Sequence, residues 1–319
     1  MRARCRPSPS ERSVTAVSKS AFHPDLRFAR FLPRSTVGPR SLALVRGLST
    51  WSARRTPSGG TVEWVDEAVS VRVFRPETRR PRSPALLWMH RGGLVIGTAA
   101  MADGLLREVS KRLGVVAVAV EYRLAPQHPF PTPLEDCYAA LRWLARQPGI
   151  DPERIAIGGD SAGGGLTAAL ALLAEDRGEI RPVLQLLSYP MLDDRTTTRT
   201  DIDPRRLRIW SPDNNRLGWS SYLGPSADVP ELAAPARRED LSGLPPAWIG
   251  VGTNDLFYDE VVDYAQRLRR AGVATTLEVV PGAYHGFDVI HKKAGVSRSY
   301  RRAQLDALDA ALNGDRPPA

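Results

Sequence analysis

The sequence is poor in cysteine and contains no long apolar run. Cys5 and Cys137 are the only two cysteines in 319 residues, so a disulfide framework is not expected, and a reducing, cytoplasmic compartment is predicted. No stretch approaches the roughly 20 apolar residues of a membrane span. The basic N-terminus has no apolar core before a cleavage site, so no secretory signal is predicted either.

Lysine is also scarce, with only four among 44 basic residues, so arginine carries most of the positive charge. Residues 1–55 contain 12 basic and two acidic residues, which leaves a net charge of −1 on the other 264 residues out of a total of +9. Because the excess charge lies outside the body of the chain, we expect no nucleic-acid partner. Residues 1–20 are polar and are predicted to be a disordered extension.

Apolar runs typical of buried strands alternate with helical patterns over about 250 residues, from residue 61 onward. This alternation predicts an α/β fold with an open, mainly parallel sheet covered by helices on both faces. Residues 21–55 are predicted to form short helices, and residues 56–192 and 245–319 the main domain. Residues 193–244 are too long for a simple crossover, so they are predicted to be a lid or binding insertion.

The central motif is Gly159-Asp-Ser-Ala-Gly163, which matches G-x-S-x-G. A strand pattern precedes it, and an apolar helix pattern begins at Ala162. A strand, a sharp turn and a helix are the context that exposes a serine as a nucleophile, and the flanking glycines allow a tight reversal and close backbone approach. Ser161 is therefore the candidate nucleophile.

A serine nucleophile needs a base, and a carboxylate must orient that base. Of the five histidines, His285 directly follows the last predicted strand, and Asp255 directly follows the strand before it. The order serine, aspartate, histidine is that of α/β-hydrolase triads, and each residue lies at the strand ends where ligands bind. Asp259 remains an alternative to Asp255 as the carboxylate.

Backbone donors for a developing oxyanion are expected after the predicted strand at Ala85. The sequence there reads His90-Arg-Gly-Gly93, so the N–H groups of Gly92 and Gly93, with that of Ala162, are the candidate oxyanion hole.

Together these motifs resemble the hormone-sensitive-lipase-like family of α/β hydrolases, over roughly residues 22–314. The motifs that carry the resemblance are His90-Arg-Gly-Gly93, Glu121-Tyr-Arg-Leu-Ala-Pro126, Gly159-Asp-Ser-Ala-Gly-Gly164, Asp255-Leu-Phe-Tyr-Asp-Glu260 and His285-Gly-Phe287. The resemblance implies an α/β-hydrolase fold, a triad of Ser161, Asp255 and His285, and a helical cap. That cap corresponds to the N-terminal helices and about residues 193–236.

Three positions depart from the family pattern. Arg91 stands where the family has glycine, Glu121 where it has aspartate, and Leu256 where it has proline. Arg91 is predicted to narrow the acyl side of the site or to favour an anionic group. It would also add roughly 1 kcal/mol of strain if the position required a positive φ.

The resulting hypothesis is a serine carboxylesterase that hydrolyses short-to-medium acyl esters without a metal or an organic cofactor. An amidase, a metabolite-specific hydrolase and a non-catalytic small-molecule receptor remain alternatives. The expected partner is a small-molecule ester, and for assembly we consider a homodimer. Besides Arg91, three aromatic residues of the insertion are predicted either to line the acyl pocket or to pack the insertion onto the body: Trp210, Trp219 and Tyr222.

Overall fold

The computed structural model describes residues 22–38, 40–53, 55–78, 80–225 and 228–314. The predicted disordered extension, residues 1–20, lies outside these ranges. The fold contains an eight-stranded sheet with the strand order β1-β2-β4-β3-β5-β6-β7-β8. The pairings β1–β2 and β2–β4 are antiparallel, and the other five pairings are parallel. The predicted α/β fold is thus confirmed.

The strands are β1 (Thr61–Trp64), β2 (Ser70–Phe74), β3 (Ser83–Met89), β4 (Val116–Glu121), β5 (Ile150–Asp160), β6 (Leu184–Ser188), β7 (Ala247–Asn254) and β8 (Thr275–Tyr284). The α-helices are α1 (Leu42–Ala53), α2 (Asp103–Leu113), α3 (Thr132–Ala145), α4 (Ala162–Arg177), α5 (Pro212–Leu223), α6 (Tyr258–Arg270), α7 (Phe287–Ile290) and α8 (Gly295–Asn313). Short 3₁₀ helices span Pro24–Phe31, Ala99–Ala102, Asp194–Thr198 and Pro235–Arg237.

The centre of the sheet is buried on both faces, as its continuous apolar runs predict. Every residue of β3 and β6 is buried. Helix α4 is buried along most of its length because it is apolar on all sides. Helices α3 and α4 pack together, and α2 packs against α8.

Three strands extend further than the sequence pattern indicates. β5 begins at Ile150 rather than near Ile155, because Ile150 pairs with Ser83 before a register shift. β7 and β8 continue to a last pair, Asn254 with Tyr284, beyond another shift. Periodicity does not predict these extensions, because they depend on the neighbouring strand.

Two segments lie outside the alternation of strands and helices. We call residues 22–38 and 40–53 together with the described part of residues 193–244 the cap. Its two parts contact each other, since the buried Arg208 guanidinium donates to the Ala29 and Arg30 carbonyls, and the N–H of Ile209 donates to the Pro33 carbonyl. The division of the chain into a cap and a catalytic body stays a prediction. Among the described helices, none is long and apolar enough to cross a membrane.

Candidate active site

Ser161 lies at the turn between β5 and α4, with φ 58° and ψ −121°. Glycines are required on both sides of this turn. A Cβ on Gly159 would overlap the Gly163 carbonyl, and a Cβ on Gly163 would overlap the Met89 carbonyl at the end of β3. The motif therefore brings the serine, in a strained conformation, close to the strand that precedes the candidate oxyanion loop.

The structure brings Ser161, His285 and Asp255 into one hydrogen-bonded row. His285 Nε2 lies 2.8 Å from Ser161 Oγ, and His285 Nδ1 lies 2.8 Å from Asp255 Oδ2. Asp255 directly follows β7, and His285 directly follows β8. All three residues are buried, with exposed fractions of 2%, 6% and 5% for the serine, aspartate and histidine. In this geometry His285 can accept the serine proton, while the carboxylate fixes the other ring nitrogen as a donor.

The second oxygen of Asp255 is also held. Oδ1 accepts a hydrogen bond of 3.0 Å from the backbone N–H of Phe257. The alternative carboxylate, Asp259, lies elsewhere: its side chain is 60% exposed and forms an ion pair of 2.6 Å with Arg199. The geometry thus favours Asp255 over Asp259 as the partner of His285.

The candidate oxyanion loop follows β3. Gly92 and Gly93 have φ values of 137° and 59°, a region that favours glycine, and Ala162 opens α4. None of the N–H groups of Gly92, Gly93 and Ala162 donates to another residue in the described ranges. Free backbone donors on this loop and at the start of α4 are the kind of group that an oxyanion requires.

His90 positions this loop. Burial lowers the pKa of His90 to about 4, so the ring is neutral near pH 7. Its Nδ1 lies 2.8 Å from the Arg91 carbonyl, and its ring stacks on Tyr122 at a centroid distance of 4.1 Å. The Tyr122 hydroxyl in turn donates to the His90 carbonyl over 2.7 Å. These contacts fix the backbone just before the glycines.

The Arg91 side chain forms an ion pair of 2.7 Å with Asp160, and both residues line a cavity between α2 and α8. Neither Ser161 nor His285 lines that cavity. Arg91 does not have a positive φ, so the backbone strain considered for this position does not arise.

Of the three cap aromatics, Trp210 lies in the site. A Cβ on Gly93 would overlap its six-membered ring, and its ring centroid is 6.4 Å from that of His285. The preceding residue, Ile209, has φ 72°, a left-handed conformation that costs a β-branched residue roughly 1–3 kcal/mol. The cap contacts of Ile209 hold this conformation and so fix Trp210 against the candidate oxyanion loop.

Trp219 and Tyr222 instead contribute to the packing of the cap. Their ring centroids are 6.3 Å apart, and Tyr222 makes an edge-on contact with Phe130 at 5.9 Å. The N–H of Phe130 donates to the Tyr222 carbonyl over 2.8 Å. Burial raises the pKa of the Tyr222 hydroxyl.

Two aromatic residues that the sequence analysis did not assign enclose His285. Tyr189 and Phe257 meet the imidazole edge-on, at centroid distances of 4.9 and 5.3 Å. The Tyr189 hydroxyl donates to Asp288 over 2.9 Å. Tyr189 directly follows β6, so its position after a predicted strand could have indicated that it belongs to the site. In the described part of the chain, no group of three or more His, Cys, Asp or Glu residues has the arrangement of a metal site.

Comparison with known proteins places this chain in a family. A family profile described as an α/β-hydrolase fold matches residues 86–289. The carboxylesterase NlhH of Mycobacterium tuberculosis is 37% identical over 230 residues, which cover 69% of this chain and 71% of that protein. The chain belongs to the hormone-sensitive-lipase-like family of α/β hydrolases.

Other relatives agree with this membership. The ethyl acetate hydrolase of Pseudomonas putida is 37% identical over 226 residues, which cover 68% of this chain and 70% of that one. The solved structure of a bacterial heroin esterase superposes with a TM-score of 0.82 at 36% identity, and the match covers 93% of this chain and 99% of that chain. These relatives support a carboxylic ester hydrolase.

Proposed function

We propose that this carboxylic ester hydrolase is a serine carboxylesterase in which Ser161, His285 and Asp255 form the catalytic triad. The observation that carries the proposal is the continuous row of two 2.8 Å contacts from the serine hydroxyl to the aspartate carboxylate. Acyl transfer requires a nucleophile, a base and a carboxylate that orients the base, and the serine, histidine and aspartate can take these three roles. Each of them follows the end of a parallel strand.

In the proposed mechanism, Ser161 Oγ attacks the ester carbonyl carbon while His285 Nε2 takes the hydroxyl proton. The N–H groups of Gly92, Gly93 and Ala162 donate to the oxyanion of the tetrahedral intermediate. The bond to the leaving oxygen then breaks, and His285 delivers the proton to the departing alcohol. Water attacks the acyl-enzyme by the same sequence, which releases the carboxylic acid and restores the serine.

Two features support short-to-medium acyl chains as substrates. Trp210 lies directly against Gly93 and leaves little room beside the candidate oxyanion hole. One relative is named for ethyl acetate, which is an ester of a two-carbon acid. We therefore expect the site to accept small acyl groups and the cap to limit longer ones.

The test is Ser161→Ala assayed with p-nitrophenyl acetate. The kcat should fall by about 10⁴-fold or more, because the remaining groups cannot form an acyl-enzyme. A fluorophosphonate probe should label the wild type at Ser161 and leave the variant unlabelled. Near-wild-type turnover in Ser161→Ala, or labelling at another residue, would refute the proposal.

A further inference from the structure

A cavity of about 470 Å³ lies between α2 and α8, next to the proposed active site but separate from it. Two of its lining residues directly precede active-site residues: Asp160 stands before Ser161, and Arg91 stands before Gly92. The lining includes none of the proposed triad or oxyanion residues. Its volume lies within the range of about 300–1,000 Å³ that is usual for small-ligand pockets.

The cavity has an excess of positive charge. Each carboxylate of its lining is already paired with an arginine: Asp160 with Arg91 at 2.7 Å, Asp288 with Arg301 at 3.3 Å and Glu108 with Arg112 at 3.0 Å. Three further cations line it: Lys292, Arg298 and Arg302. Within the described ranges, none of these three forms an ion pair with a carboxylate, so the lining carries a surplus of three positive charges.

A donor in the cavity wall also lacks an acceptor. Arg301 Nη1 is buried and has no hydrogen-bond partner among the residues that the structure describes. Two acceptors of the same lining, Asp160 Oδ1 and Gln304 Oε1, are buried and unpartnered there as well. Buried polar atoms are nearly always paired, so a polar ligand or a solvent molecule is expected at this wall. The lining also has an apolar part, which includes the side chains of Trp88, Met101 and Val289. Surplus cations beside an apolar surface suit a molecule that has one anionic group and one apolar part.

We infer that this cavity is a second ligand site, which binds a small organic anion. Its carboxylate or phosphate group interacts with Lys292, Arg298 and Arg302, and its apolar part lies against Trp88 and Met101. The pair formed by Arg91 and Asp160 links the cavity to the nucleophile turn and to the oxyanion loop. Binding of the anion therefore changes the turnover of a neutral ester.

Binding is tested by calorimetry with octanoate, octyl phosphate, inorganic phosphate and octan-1-ol. The double variant Lys292→Glu and Arg302→Glu changes two exposed side chains at the cavity. The matched control, Lys293→Glu with Arg270→Glu, changes the net charge equally at exposed positions outside it. The cavity variant should lose at least about tenfold in affinity for the organic anions, and the control variant less than about twofold.

The four ligands separate the alternatives. The organic anions should bind more tightly than octan-1-ol and inorganic phosphate, and added salt should weaken their binding through screening. A comparison of the affinities for octanoate and octyl phosphate shows which anionic group the cavity prefers. Equal losses in the cavity and control variants would mean that only net charge matters and would overturn the site. Unchanged affinity in the cavity variant, or equal binding of octan-1-ol, would overturn it too.

The effect on turnover rests on the proposed function, whereas the calorimetry does not. A saturating organic anion should change the kcat for p-nitrophenyl acetate in the wild type and leave it unchanged in the cavity variant. A wild-type kcat that does not respond, despite measured binding, would overturn the link to the nucleophile turn. Failure of the serine mechanism itself would instead appear in Ser161→Ala and would leave the binding result intact.

Discussion

The proposed active site and the cap above it are held in place by different kinds of interaction. The site residues follow β3, β5, β7 and β8, whose backbones are fixed by parallel ladders such as Met89 with Gly159 and Asn254 with Tyr284. The cap is joined mainly by side chains. Arg208 binds carbonyls of the N-terminal part, and Asn214 donates to the Val37 carbonyl.

Because of this difference, substitutions in the two regions should affect different properties of the enzyme. A ladder bond is made by backbone atoms, so a side-chain substitution on the sheet changes the position of the proposed triad little. A cap contact made by one guanidinium or one amide is lost with that residue. We therefore expect substitutions at the strand ends to change kcat and substitutions in the cap to change substrate preference.

Among the substitutions that compare the strand ends with the cap, Asp255→Asn should have the largest effect. The amide cannot hold the His285 tautomer that accepts the serine proton, so kcat should fall by about 10⁴-fold. Asp259→Asn is the matched control, because its carboxylate pairs with Arg199 at the surface, and its kcat should stay within about twofold of the wild type, as for other exposed ion pairs. Steady-state kinetics with p-nitrophenyl acetate measure both. If Asp259→Asn were the more damaging change, the assignment of the carboxylate would be wrong.

An intermediate effect is expected for Trp210→Phe in the cap. The smaller ring enlarges the space beside Gly93, so the ratio of kcat/KM for the octanoate ester to that for the acetate ester should rise about tenfold. Trp219→Phe removes a similar volume away from His285 and should leave the ratio unchanged. Assays with a series of p-nitrophenyl esters measure the ratio. Equal shifts in the two variants would show that general loosening of the cap, and not Trp210, determines preference.

The smallest expected effect concerns Glu121 at the end of β4. Burial raises the pKa of Glu121 from its usual 4.5 to about 7, against a hydrogen bond of 2.9 Å from the Ala99 N–H that favours the charged form. A raised pKa means that the folded state binds the proton more tightly. This contribution to stability is complete below pH 4.5 and is lost as the pH rises through about 7.

Glu121→Gln removes this titration and keeps the oxygen that accepts from Ala99. The free energy of unfolding of the wild type should therefore fall relative to the variant between about pH 4.5 and pH 7. Urea unfolding at several pH values measures the difference. A difference that stays constant with pH would show that Glu121 has no raised pKa.

The sequence by itself determined the fold class and the order of the candidate site residues. Ser161, Asp255 and His285 were each predicted just past the end of a strand, and the structure brings them together there. This was possible because a buried parallel strand has a local signature, an unbroken apolar run, and because the carboxyl ends of such strands share one edge. The need for glycine on both sides of Ser161 could also be predicted from the sequence, because a tight turn leaves no space for a side chain.

Only the tertiary structure decided where Arg91 and the cap aromatics lie. Arg91 was expected to narrow the acyl side or to favour an anionic group, and the structure places its guanidinium beside Asp160 in the cavity between α2 and α8. Trp210 and Trp219 look alike in the sequence, yet only Trp210 lies against Gly93 and near His285. The direction of a side chain depends on partners that are distant in the chain, such as the cap residues that hold Ile209. A local sequence pattern does not specify these partners.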